Sequence, residues 1–131
     1  MSTELIIDSG EEEVRIALLK GKNLLEYHHE QLENDFTVGD IYLGSVKKVV
    51  PGLNAAFVDV GYEKDAFLHY LDLGPQFRSQ MKYTKQALSK KKVSPKLLNF
   101  PLEKDIDKHG KINQVLVKNQ KVLVQIVKEP I

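Results

Sequence analysis

The first thirty residues alternate between short apolar runs and residues that favour turns. Leu5 to Ile7 is apolar and meets Ser9-Gly10, and apolar and other side chains alternate from Val14 to Leu19 as in a half-buried strand. Lys20 to Asn23 supplies a second turn, and Leu24 to Tyr27 begins a third strand. The pattern predicts an antiparallel three-stranded meander, which needs a partner to cover its apolar face.

A longer β-rich stretch follows the meander. Val38 to Val50 is rich in β-branched residues and exceeds the usual length of a strand, while Gly44 inside it predicts a bulge or a sharp bend. Pro51-Gly52 forms a turn. Two further strands are predicted at Asn54 to Val60 and at Asp65 to His69. Together these strands indicate a small, strongly bent sheet.

The last third of the chain is less regular. Gln76 to Leu88 has near-helical spacing of apolar residues, and Lys90 to Lys92 with Pro95 predicts a mobile loop after it. His109-Gly110 predicts a turn, and Lys121 to Lys128 is a nearly all-apolar strand that is expected to lie in the core. Four barrel-type strands are thus predicted where a closed five-stranded barrel needs one more.

Composition narrows the class of protein. The chain has 131 residues, the length of one ordinary domain, and contains no cysteine, which excludes disulfides, thiol catalysis and cysteine-ligated metal sites. No apolar run approaches the roughly 20 residues that a membrane helix needs, and the N-terminus lacks the order of a signal peptide. We therefore expect no membrane span and a soluble protein of a reducing compartment, most simply the cytoplasm.

The charge is unevenly distributed along the chain. The net charge is only +1, but residues 1–40 hold ten acidic and three basic residues, whereas residues 41–131 hold sixteen basic and eight acidic ones. Residues 75–98 contain no acid and seven bases: Arg78, Lys82, Lys85, Lys90, Lys91, Lys92 and Lys96. This asymmetry is compatible with a portion that binds polyanions, but charge alone favours a lysine-rich solvated loop, because lysine runs are common on surfaces.

The run from Val38 to His69 carries a family motif. Its sequence, VGDIYLGSVKKVVPGLNAAFVDVGYEKDAFLH, resembles the S-one RNA-binding domain, a five-stranded OB-type barrel. More specifically, the chain resembles the start of the ribonuclease E/G family of bacterial endoribonucleases. The features that carry this resemblance are the three-strand segment and, after it, I-Y-x-G, P-x-L-x-A-A-F-V-D-x-G and F-L. Ile112 to Gln125 fits that family too, and residues 75–110 fit it least. Ala66 stands where many S-one domains have glycine.

The resemblance implies a mainly β fold in two parts. Residues 1–36 would form a small antiparallel meander that belongs to a ribonuclease-H-like subdomain. Residues 37–131 would form the S-one-type OB barrel, without its last strand and with a lysine-rich insertion at about residues 72–111. The open edge left by the missing strand invites pairing with a second chain, so this stretch is expected to be able to dimerise.

The resemblance also implies an activity for a longer parent protein. Members of the family are magnesium-dependent endoribonucleases that act in RNA processing and decay, and the parent is expected to be a homo-oligomer. The catalytic residues of the family lie beyond residue 131, so these 131 residues alone are expected to be inactive and to hold neither a catalytic site, a metal nor another cofactor.

Aromatic residues of the motif are the candidate contacts to single-stranded RNA. Phe57, Phe67 and His69 are expected on neighbouring strands, where aromatic faces stack on unpaired bases. In a generic β domain both phenylalanines belong in the core. The S-one family exposes its aromatic residues at these positions, so the resemblance implies an RNA-binding role for Phe57 and Phe67. His69 is a further candidate for RNA binding, unless it is a histidine at the rim of the sheet that bonds to the backbone.

Basic residues would complete this surface by contacting phosphates. Lys47 and Lys48 follow the bend at Gly44, and because adjacent strand residues face opposite ways, only one of them is expected to share the aromatic face. Tyr42 is a further candidate for the same surface. Lys90 to Lys92 would widen the electrostatic footprint, unless they form a solvated loop.

Three other interpretations draw on fewer residues. Asp8 before Ser9-Gly10 is typical of an actin-like or sugar-kinase-like lobe that binds a nucleotide, but Glu11 to Glu13 would repel its phosphates. A single carboxylate does not hold Mg²⁺ alone, and adjacent His28 and His29 point apart on a strand, so neither predicts a metal site. In the third interpretation, the barrel is a docking surface for a protein partner.

Overall fold

The structure is a computed structural model that describes residues 2–31, 37–89 and 96–130. The chain divides into two compact units, Met1–Asp35 and Phe36–Ile131, each with one antiparallel sheet. Among the described residues no helix is long and apolar enough to cross a membrane. The predicted loop at Lys90 to Lys92 and Pro95 lies outside the described residues.

The first unit is the predicted meander. Strands β1 (Thr3–Ser9), β2 (Glu13–Lys20) and β3 (Asn23–Gln31) are adjacent in sequence order and antiparallel. Gly21 forms the second turn with a φ of 60°, a conformation that glycine adopts without steric strain. Large apolar side chains of this sheet are exposed, namely Leu5, Ile6, Ile7, Leu24, Leu25 and Tyr27. That a partner covers the apolar face of this sheet stays a prediction.

The second unit is a curled, open half-barrel of the OB type. Its strands are β4 (Ile41–Val50), β5 (Ala55–Asp59), β6 (Ala66–His69) and β7 (Lys121–Gln125), in the order β6-β5-β4-β7. All neighbouring strands are antiparallel, and β6 and β7 form the edges of the described sheet. The predicted mainly β, OB-type fold class is confirmed. Pairing of an edge with a second chain stays a prediction.

Helix α1 and three short 3₁₀ turns connect the strands of the second unit. Helix α1 spans Phe77–Leu88, close to the predicted range, and the 3₁₀ turns span Pro51–Leu53, Tyr70–Asp72 and Ile112–Gln114. The fully buried side chains of the core include Ile112, Leu116, Val46, Val58 and Val122. The core therefore lies between one face of the sheet and the segment that leads into β7.

The last strand differs from its prediction. It ends at Gln125 rather than Lys128, and although Val122 is buried, Leu123 is 57% exposed. An apolar run is buried on both faces only when both faces of its sheet are covered. Because β7 lies at an edge of an open sheet whose one face packs on the core, its side chains alternate between core and solvent.

Gly44 is explained by close packing within the sheet. Strand β4 pairs with β7 through Ile41–Ser45 and with β5 through Ser45–Val50. A Cβ atom on Gly44 would lie 2.5 Å from Val58 Cγ1 and 3.1 Å from the carbonyl oxygen of Asp59. The register irregularity lies between Val46 and Lys48, so the predicted bulge occurs three residues after Gly44 rather than at it.

We expect Gly44→Ala to destabilise the second unit by about 1–3 kcal/mol, because the added methyl group overpacks a site that Val58 and the β5 backbone already fill. Urea denaturation followed by circular dichroism measures the change in free energy of unfolding. Gly52→Ala is the matched control, since a Cβ there meets nothing within 4 Å. Equal effects of the two substitutions would contradict the packing explanation.

Candidate nucleic-acid interface

Two phenylalanines form an aromatic pair on the outer face of the second sheet. Phe57 on β5 lies directly opposite Phe67 on β6, with ring centroids 5.8 Å apart and an interplanar angle of 64°. Phe67 is 54% exposed and Phe57 is partly exposed. The rings are therefore open to solvent instead of sealed in the core.

Alternation along the strands produces this arrangement. On β5, Ala56 and Val58 belong to the core, so Phe57 between them points to the other face. On β6, Leu68 packs against the core, so Phe67 and His69 on either side of it point outward. The periodicity that buries the small apolar residues thus exposes the aromatic ones.

His69 lies at the edge of the aromatic pair. Its ring centroid is 6.4 Å from that of Phe67. Its Nδ1 accepts a hydrogen bond from the backbone N–H of Leu71 at 3.0 Å, and its own backbone N–H donates to Asp72. Because Nδ1 is an acceptor here, the neutral ring carries its proton on Nε2. The His69 ring is fixed beside Phe67 by the turn that ends β6.

Lys47 and Lys48 both border the aromatic pair. Lys48 is the register partner of Phe57, and Lys47 lies in the register irregularity that precedes it. Both side chains line the same open groove as Phe57. The expectation that only one lysine shares this face assumes a regular strand, in which adjacent residues face opposite ways. The bulge at Lys47 breaks that alternation, and both lysines line the groove.

We call the open groove lined by Phe57 and the two lysines the Phe57 groove. Its polar and aromatic lining consists of Lys47, Lys48, Phe57, Asp65, Asn113 and Lys118. Three lysines against one aspartate give the groove a net positive charge. Asp65 Oδ2 lies 3.4 Å from Lys47 Nζ, which places an ion pair inside the groove. Such a surface suits a ligand that combines flat rings with negative charge.

The second wall of the groove was not predicted from the sequence. The segment that begins at Ile112 forms this wall. The backbone N–H of Ile112 donates a hydrogen bond to Asn54 Oδ1 at 2.7 Å. Asn54 Nδ2 in turn donates to the carbonyl of Gly110 at 3.1 Å. The only sequence signal is the spacing of Ile112 and Leu116, one helical turn apart, which indicates that a face of this segment is buried.

Tyr42 lies on the opposite face of β4 from Lys48. Its ring packs against the core, and its hydroxyl donates a hydrogen bond to Asp40 Oδ2 at 3.0 Å. Burial, followed by the hydrogen bond to Asp40, raises the pKa of the Tyr42 hydroxyl. The structure therefore does not bring Tyr42 to the aromatic face for which it was a candidate.

The polar residues of the first unit pair with one another on its sheet. Glu13 receives hydrogen bonds from His29 at 2.5 Å and from Arg15 at 2.6 Å, which lower the pKa of the Glu13 carboxyl. His28 contacts Glu26 at 3.3 Å. Across residues 2–31, 37–89 and 96–130, no three His, Cys, Asp or Glu side chains form a group that would hold a metal ion. Asp8 belongs to no such group.

Comparison with known proteins finds ribonucleases G and E among the relatives of this chain. No family model matches the chain. The chain is 30% identical over all 131 residues to ribonuclease G of Escherichia coli K12 and 32% identical over 130 residues to ribonuclease G of Haemophilus influenzae. It is 38% identical over 94 residues, 71% of its length, to ribonuclease E of Nostoc sp., of which this match covers 10%. The chain spans 23% of the length of each ribonuclease G.

Proposed function

Because this chain belongs to the ribonuclease E/G family, we propose that its second unit binds single-stranded RNA along the Phe57 groove. The observation that carries the proposal is the exposed Phe57–Phe67 pair, with centroids 5.8 Å apart on the face opposite the core. Stacking of a base on an aromatic side chain contributes about 1–3 kcal/mol and tolerates any base. His69 beside the pair extends the aromatic surface.

Phosphate contacts are the second part of the proposed binding mode. Lys47, Lys48 and Lys118 line the same groove as Phe57. A strand whose bases stack on the rings would pass its phosphates by these ammonium groups. Unpaired bases are required, because in a duplex the base faces are already stacked on one another. The groove is therefore proposed to favour single strands over duplexes.

For the full-length protein we propose an endoribonuclease that acts in RNA processing and decay, with this unit holding the RNA that is cut. Magnesium is the metal proposed for cleavage, by resemblance to the family. Among the described residues, no group of three or more acidic or histidine side chains lies together. We assign these residues to the binding of RNA because of the exposed aromatic pair and the lysines of the groove. Assembly of the full-length protein as a homo-oligomer is likewise a proposal.

Binding to an unstructured ten-nucleotide RNA tests the proposal. If two or three lysines contact phosphates, the slope of log K against log salt concentration is about −1.4 to −2, which weakens binding about 7- to 16-fold between 50 and 200 mM salt. Fluorescence anisotropy of the labelled RNA measures both values, and a duplex of the same sequence should bind more weakly. Binding without salt dependence would favour a protein-docking role, and a failure to bind would contradict the proposal.

A further inference from the structure

Asp65 is the only acidic side chain that lines the Phe57 groove within the described residues. It directly precedes β6, two positions before Phe67, so it lies at the same face of the sheet as that ring. Its carboxylate is 3.4 Å from the ammonium group of Lys47. The Lys47 side chain is 63% exposed and the Asp65 side chain is 28% exposed. The ion pair joins β4 to the start of β6. It therefore spans β5, which lies between these two strands and carries Phe57.

The other two lysines of the groove differ from Lys47. In the described part of the chain, no ion pair involves Lys48 or Lys118. A phosphate can approach those ammonium groups without displacing a carboxylate. At Lys47, a phosphate competes with Asp65 for the same ammonium group and is repelled by the carboxylate itself.

We propose that Asp65 limits the RNA affinity of the groove by holding Lys47 in an ion pair. The inference rests on the proposed function, because it concerns how the same groove meets phosphate. An exposed ion pair is weak and is screened by salt, so holding Lys47 back from a phosphate lowers the RNA affinity only modestly. The groove therefore binds RNA through two unhindered lysines and one hindered lysine.

Asp65→Asn tests this inference, because it removes the charge and keeps the shape of the side chain. We expect binding of the ten-nucleotide RNA to tighten about three- to tenfold at about 50 mM salt, and the salt slope to steepen by about 0.7, the value for one added phosphate contact on a single strand. Glu63→Gln is the matched control. It changes the net charge by the same amount at an exposed position outside the groove lining, and we expect less than about a twofold effect.

The double variant separates Lys47 from a general effect of charge. In a Lys47→Gln background, Asp65→Asn should tighten binding by less than about twofold and leave the salt slope unchanged, because no ammonium group is released. An equal gain in both backgrounds would overturn the inference in favour of simple repulsion by Asp65. Melting curves of the unsubstituted chain, the two single variants Asp65→Asn and Lys47→Gln, and the double variant establish that all four proteins are folded.

The remaining outcomes distinguish the two proposals. If the unsubstituted chain binds RNA and Phe57→Ala weakens that binding, but Asp65→Asn binds equally or more weakly, the inference about Asp65 is wrong and the proposed function stands. A loss confined to cytosine- or adenine-containing RNA would instead assign Asp65 to base recognition. If neither the unsubstituted chain nor Asp65→Asn binds RNA, the proposed function fails, and the inference fails with it.

Discussion

Replacing Phe67 by alanine is expected to weaken binding of single-stranded RNA by about 5- to 150-fold, the equivalent of losing one stacked base. The Phe67 ring is 54% exposed, so its removal takes little apolar surface out of the core, and the fold should persist. Fluorescence anisotropy with the ten-nucleotide RNA measures the loss. Phe67→Tyr retains the aromatic face and should bind within about threefold of the unsubstituted chain.

Phe57→Ala is expected to weaken binding to a similar extent, with a larger loss of stability, because this ring is only partly exposed. Leu123→Ala is the control, since it removes an apolar side chain about as exposed as Phe67, 57% against 54%, from the same sheet outside the groove lining. If folded Phe57→Ala and Phe67→Ala bind RNA as well as Leu123→Ala does, the aromatic pair is not a stacking surface and the proposed function is wrong.

Local pattern was sufficient to predict the strands that carry the aromatic pair. Alternation and turn residues determine β5 and β6, and the pairing of Phe57 with Phe67 follows once the two strands form a hairpin. Their exposure could not be derived from residue type, because phenylalanine is usually buried. It depended on the motif, and the physical reason is visible only in the sheet, where Ala56 and Val58 occupy the face toward the core.

Features that depend on distant residues or on sheet edges were beyond sequence reasoning. The bulge at Lys47 brings two adjacent lysines to one groove, although a regular strand would separate them. The exposure of Leu123 reflects the edge position of β7, which no local pattern encodes. Likewise, Lys118 lies at the groove because its segment is held by a hydrogen bond from the Ile112 N–H to Asn54. These two residues are 58 positions apart in sequence.

Asn54→Ala is expected to lower the free energy of unfolding by about 2–4 kcal/mol. The Asn54 backbone is left-handed, with φ of 50° and ψ of 43°, a conformation in which alanine is strained by about 1 kcal/mol. The substitution also removes the hydrogen bonds to the Ile112 N–H and the Gly110 carbonyl, each worth about 1 kcal/mol. Urea denaturation of the full 131-residue chain measures the change.

Two further substitutions at Asn54 separate backbone strain from the side-chain contacts. Asn54→Gly relieves the strain but loses both hydrogen bonds, so it should be destabilised by about 1 kcal/mol less than Asn54→Ala. Asn54→Asp keeps the acceptor for the Ile112 N–H but sets a carboxylate oxygen against the Gly110 carbonyl oxygen, so it should recover only part of the stability lost in Asn54→Ala. Because the same contacts hold the wall that carries Asn113 and Lys118, folded Asn54→Gly should also bind RNA more weakly than Asn54→Asp. Equal stability of Asn54→Gly and the unsubstituted chain would mean that the wall is held by burial of Ile112 and Leu116 alone.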